Sequence, residues 1–84
     1  MVEGAEPTPD KCLDAFVATF GLTERERDIL EVLVVSDQSV QDIATTLFLS
    51  RSTLYRHISS INKKTDTASR VALINFFWSW TPRD

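Results

Sequence analysis

The 84-residue sequence predicts an all-α fold, and three observations carry that prediction. Apolar residues recur at three- and four-residue spacings along most of the chain. No segment alternates apolar and polar side chains for long enough to make a strand. Ser, Thr or Asp stands ahead of each periodic stretch, where the free N–H groups of a first turn need an acceptor. The run "EVLVVS" (31–36) is β-branched, yet it continues a helical stripe more naturally than it starts a sheet. No repeat or low-complexity tract divides the chain. A single domain is expected over 11–84, behind a flexible leader at 1–10 that holds two prolines, a glycine and three acids.

The elements follow in order. Asp10 is placed to cap a first helix whose stripe is Leu13, Phe16, Val17 and Phe20, with Gly21 suited to its end. Thr23 and Glu26 have the spacing of a capping box, each side chain serving the other's backbone N–H, and they open a second helix with Ile29, Leu30 and Leu33 inward. Ser39 begins a short third helix bearing Val40, Ile43, Ala44 and Leu47. Ser50 caps a fourth, running to about Thr65, with Leu54, Ile58 and Ile61 inside. The last helix runs from about Ser69 to Trp80, with Pro82 just beyond.

That last helix, "VALINFFWSW", is apolar all round. Leu73, Phe76, Phe77 and Trp80 form one stripe, and Val71, Ile74 and Trp78 form another. One stripe can face the core. The other needs cover, from the first helix or from a second copy of the domain, so Val71, Ile74, Phe77 and Trp78 are candidates for a dimer interface.

Composition removes several function classes. One cysteine, Cys12, allows no internal disulfide and no Cys-based zinc site, and is expected to pack as a small apolar residue. One histidine, His57, and no Gly-rich phosphate loop leave no catalytic set, no metal site and no cofactor site. No apolar run reaches the length of a spanning helix, and the start lacks the layout of a signal peptide, so a cytoplasmic protein without membrane contact is expected.

The net charge of −3 argues mildly against a nucleic-acid partner, but its distribution argues for one. Residues 1–50 carry three bases against ten acids, a net of −7, whereas residues 51–70 carry five bases against one acid, a net of +4. Such a domain can orient itself in the field of a polyanion despite its total charge.

Two helices separated by two or three residues, the second longer, have the helix-turn-helix geometry that lays the second helix in a DNA major groove. On a helical wheel, Leu54, Ile58, Ile61 and Thr65 share one side of residues 51–65, opposite Ser52, Arg56, Ser59 and Lys63, with Tyr55 and Ser60 flanking that outer face. Ser52, Tyr55, Arg56 and Ser59 are candidates for base edges. Ser50, Arg51, Thr53, His57, Lys63 and Lys64 are candidates for phosphates. Serines and basic residues also suit a plain solvated helix, and His57 suits a packed histidine between core and surface.

The runs "LTERERDILEVL" (22–33), "SVQDIATTLFLSRSTLYRHISSINKKT" (39–65) and "SRVALI" (69–74) together resemble the LuxR-type (GerE-like) helix-turn-helix domain of bacterial transcription regulators. Leu22, Thr23, Arg25, Glu26, Leu30, Ser39, Ile43, Ala44, Leu47, Ser50, Thr53, His57, Ile61, Lys64 and Arg70 sit where that pattern places them. The resemblance covers roughly residues 22–75. It implies a four-helix DNA-binding domain, here with one additional N-terminal helix, a recognition helix at 51–65, dimerisation through the last helix, and double-stranded DNA as partner. It also implies a sensing or receiver domain on the N-terminal side in a longer parent chain.

Departures from the pattern bear on affinity. The family usually has Gly, Asn and Lys where this chain has Asp37, Val40 and Gln41, and Val-Lys where it has Leu54 and Tyr55. Asp37 must manage a turn that glycine often makes. Two fewer lysines weaken phosphate attraction. Two other readings remain open at this level: a degenerate domain that binds protein, and a sigma-factor-like promoter reader.

Overall fold

The computed structural model describes residues 9–36 and 38–80, and the expected leader and the turn at Asp37 lie outside or mostly outside them. Five helices follow one another: α1 (Pro9–Phe20), α2 (Glu24–Val35), α3 (Val40–Thr46), α4 (Arg51–Thr65) and α5 (Arg70–Ser79). Among the described residues there is no strand. The all-α expectation holds, and "EVLVVS" is indeed the end of α2.

The start of α1 corrects one expectation. Pro9 is the first helical residue and Asp10 the second, so Asp10 lies inside the first turn, past the capping position. Proline suits that position because its fixed φ is already helical and its missing N–H would have had no partner. At the other end Gly21 takes φ +68° and lets the Leu22 N–H reach the Val17 carbonyl at 3.0 Å, closing the helix.

Ser39, Ser50 and Ser69 cap α3, α4 and α5, each accepting from the N–H three residues on. Thr23 and Glu26 form the full capping box at the head of α2: the Glu26 N–H donates to Thr23 Oγ1 at 3.1 Å, and the Thr23 N–H donates to Glu26 Oε1 at 2.9 Å. Each such cap contributes about 1 kcal/mol.

The core is one cluster drawn from all five helices, with Phe16, Ile29, Leu30, Ile43, Leu54, Ile61 and Leu73 fully enclosed. Helix α1 supplies Leu13 and Phe16 and lies against the aromatic end of α5. The Phe16 ring meets Phe76, Phe77 and Trp80 edge-on at centroid distances of 5.7, 5.3 and 5.2 Å, and Phe20 meets Phe76 and Trp80. Edge-on pairs gain from ring quadrupoles as well as from apolar burial. Cys12 is half-buried and packs against the same core.

This settles which stripe of α5 the extra helix covers. The Leu73, Phe76, Phe77, Trp80 side is closed by the core and α1. Phe77 is only 3% exposed, so it is removed from the candidate dimer surface. Val71 and Trp78 remain exposed, and with Ile74, Val34, Ile43 and Arg70 they border an open hollow of about 260 Å³.

Candidate nucleic-acid interface

The turn between α3 and α4 is built by an unexpected residue. Leu47 ends α3, Phe48 takes the left-handed φ of +58°, and the Leu49 N–H then bonds the Ala44 carbonyl at 2.9 Å. This is the closure that glycine usually provides, and a bulky side chain there costs about 1 kcal/mol or more. The Phe48 ring gains no burial in return, being 95% exposed. Beyond it Ser50 Oγ accepts the Thr53 N–H at 3.1 Å and donates to Thr53 Oγ1 at 3.0 Å, which starts α4.

Helix α4 is held on its inner side by Leu54, Ile58 and Ile61, all buried. It ends where Asp66 turns left-handed at φ +58° and the Thr67 N–H reaches the Asn62 carbonyl at 2.9 Å. Thr65 Oγ1 donates to the Ile61 carbonyl, and Thr67 Oγ1 donates to Asn62 Oδ1, so the polar groups of this end are satisfied inside the chain.

One edge of α4 is tied to α2 by Glu26, whose carboxylate is buried. Lys64 Nζ donates to Glu26 Oε1 at 2.7 Å, Ser60 Oγ donates to Glu26 Oε2 at 2.6 Å, and Lys64 also reaches the Gly21 carbonyl at 3.3 Å. Burial alone would raise the Glu26 pKa. The hydrogen bonds from Lys64, Ser60 and the Thr23 N–H, with the Lys64 charge, outweigh it and bring the carboxyl down to about 2. A buried ion pair of this kind stabilises only because its remaining hydrogen bonds are made.

This geometry gives one residue expected at a phosphate, Lys64, a partner inside the chain. Its ammonium group is bonded to Glu26 and Gly21. Ser60, placed at the flank of the outer face, likewise points its hydroxyl inward to Glu26. Ser50 and Thr53 are engaged with each other as a cap, which leaves them at the helix entrance with their hydroxyls partly used.

The other face of α4 is different. Arg51, Ser52, Tyr55, Arg56, Ser59 and Lys63 are exposed, and none makes a side-chain hydrogen bond or ion pair with the described residues. Tyr55, Arg56, Ser59 and Lys63 border one surface hollow together with Ser60. His57 is half-buried beside them, also without a side-chain partner. The structure therefore brings all four base-edge candidates onto one open face, with three unneutralised cations along it.

A sequence model of the family described as bacterial regulatory proteins, luxR family, matches residues 21–77, from the end of α1 through most of α5. The chain belongs to the luxR family. Its sequence is 41% identical over 49 residues to the spore germination protein GerE of Bacillus subtilis (strain 168), an alignment that covers 58% of this chain and 65% of that protein, a little under two thirds of the relative's length. No solved structure matches the chain.

The family is one of regulators, and the match begins just after α1 ends, so all of α1 stands outside the luxR pattern. Among the described residues no helix is long and apolar enough to cross a membrane, and no group of His, Cys, Asp and Glu is placed to hold a metal ion. Sequence reading of this luxR-family domain missed the Glu26 link to Ser60 and Lys64. The capping box explained Glu26 locally, and a contact spanning 38 residues leaves no periodic signal.

Proposed function

We propose that residues 11–84 form the DNA-reading output domain of a bacterial transcription regulator, with α4 lying in the major groove of double-stranded DNA. The observation that carries this reading is the open face of α4. Six exposed side chains able to donate or accept hydrogen bonds have no partner among the described residues, on the one helix that the helix-turn-helix geometry presents to a groove. Ser52, Tyr55, Arg56 and Ser59 face base edges. Arg51 and Lys63 take phosphates, helped by His57 and by the hydroxyls of Ser50 and Thr53 at the helix start. Lys64 takes no part.

The domain acts as a dimer through the open side of α5, where Val71, Ile74 and Trp78 flank the hollow beside α2 and α3. A two-fold axis there sets two recognition helices about 34 Å apart, one turn of DNA. The protein works in the cytoplasm, where its DNA is.

The test is molar mass by light scattering at low salt, alone and with a pool of random-sequence duplexes. A dimer that enriches duplexes with two half-sites supports the reading. A monomer that enriches none overturns it and moves the domain to protein binding.

A further inference from the structure

The exposed face of α4 is as informative in what it lacks as in what it carries. Side chains distinguish bases in the major groove by few pairings: Arg or Lys with guanine, Asn or Gln with adenine, Asp or Glu with cytosine, and an apolar surface with the thymine methyl. From Arg51 to Thr65 there is no Asp, Glu or Gln. The one amide, Asn62, is half-buried, and its Oδ1 already accepts from Thr67. The helix therefore has no side chain to specify adenine or cytosine by their own amino groups. Serine hydroxyls serve either kind of base and discriminate little.

Two selective groups remain on the face. Arg56 is exposed and unpaired, with a guanidinium free to span guanine O6 and N7. Tyr55 presents the only large apolar surface on the helix exterior. It is 55% exposed, and its ring stacks on no other aromatic side chain and its hydroxyl bonds no other described group. Tyr55 and Arg56 are neighbours in sequence, so they are displaced by about 1.5 Å along the axis and splayed to the two flanks of the outer face. That small displacement suits adjacent base pairs on a helix laid in a groove, and Ser52 and Ser59 lie between them one turn either way.

We propose that the domain reads A·T pairs from their thymine side, by seating the thymine 5-methyl group against the Tyr55 ring, next to a guanine held by Arg56. The inference rests on the DNA-reading role stated above and adds its chemistry. The preferred half-site contains a T·A pair beside a G·C pair, and its adenine makes no selective contact with α4. The ring, not the phenolic hydroxyl, is the reading surface.

The experiment starts from the best duplex enriched from a random pool by the whole chain. Each thymine is replaced in turn by deoxyuridine, which removes only the 5-methyl group, and affinity is measured for wild type, Tyr55→Phe and Tyr55→Ala. Tyr55 is exposed, and helical circular dichroism verifies that both variants fold. One thymine per half-site should be sensitive, its replacement weakening wild type and Tyr55→Phe about fourfold, the effect of one buried methyl group. In Tyr55→Ala the same replacement should have no effect. Binding that is insensitive to every methyl, or a methyl effect that persists in Tyr55→Ala, overturns the proposal and leaves the DNA-reading role standing. Failure to enrich any duplex overturns both.

Discussion

The two edges of α4 carry the same kinds of residue and put them to opposite uses. Ser60 and Lys64, one turn apart on the edge facing α2, are bonded to the buried Glu26 carboxylate. Ser59 and Lys63, one position earlier in each case, are exposed and bond to no other described residue. A rotation of about 100° separates a structural serine-lysine pair from one available to a ligand. Residue type and sequence neighbourhood do not decide that role; the carboxylate waiting on the adjacent helix does.

The contrast is tested first where the effect is largest. Glu26→Ala leaves Lys64, Ser60 and the Thr23 N–H without their acceptor, and we expect a loss of about 3 kcal/mol, seen as a fall in Tm of about 12 to 24 °C. A loss under about 1 kcal/mol would show that the inner edge is as idle as the outer one. Acid gives a graded version of the same test. The Glu26 carboxyl sits at about 2 in the folded protein against an ordinary 4.5, so its contribution is fully present above pH 4.5 and is lost as pH falls from 4.5 towards 2. The gap corresponds to at most about 3 kcal/mol, reduced by the solvent access of Lys64. Denaturant titrations across that window should show the loss in wild type, and Glu26→Gln should flatten it.

The outer edge should behave in the reverse way. Arg56→Ala is expected to change stability by less than about 0.5 kcal/mol and to weaken binding to the selected duplex about tenfold. A Tm shift without an affinity change would transfer Arg56 to the structural group. The paired lysines give the finest comparison. Lys63→Ala should lower the slope of log affinity against log salt by about one at constant Tm. Lys64→Ala should lower Tm at constant salt slope. Equal slopes for the two variants would erase the distinction between the edges.

Much of the architecture was legible because helices announce themselves locally. Ser50 was readable as a cap from sequence, Ser39 and Ser69 as helix starts, and Thr23–Glu26 as a capping box, and the inward stripes of α2, α3 and α4 follow from 3.6-residue periodicity. The outward set Ser52, Arg56, Ser59 and Lys63 was legible by the same rule. What escaped was set by tertiary context. Phe77 belongs to the Leu73 stripe yet was also a candidate for the dimer surface, because on an all-apolar helix periodicity does not say which stripe faces inward; its burial against Phe16 does. Lys64 could be assigned to a phosphate until Glu26 was seen beside it. Phe48 adopts left-handed backbone that its residue type does not advertise, and Asp66, of a type that tolerates that region, does the same. Only the turn lengths around them hinted that some residue must.

The aromatic contacts between α1 and α5 join Phe16 to Phe76, sixty positions apart in the chain. Closing a loop of that length costs about 1 kcal/mol more entropy than closing the shorter ones across which α2, α3 and α4 meet. Helix α1 should therefore dock after the folding barrier has been crossed. Side chains in its ring cluster then govern how long the native state persists rather than how fast it is reached. The helix that stands outside the luxR pattern is thus expected to act as a kinetic latch on the domain inside it, so that Phe20→Ala should speed unfolding and leave the folding rate unchanged in stopped-flow measurements.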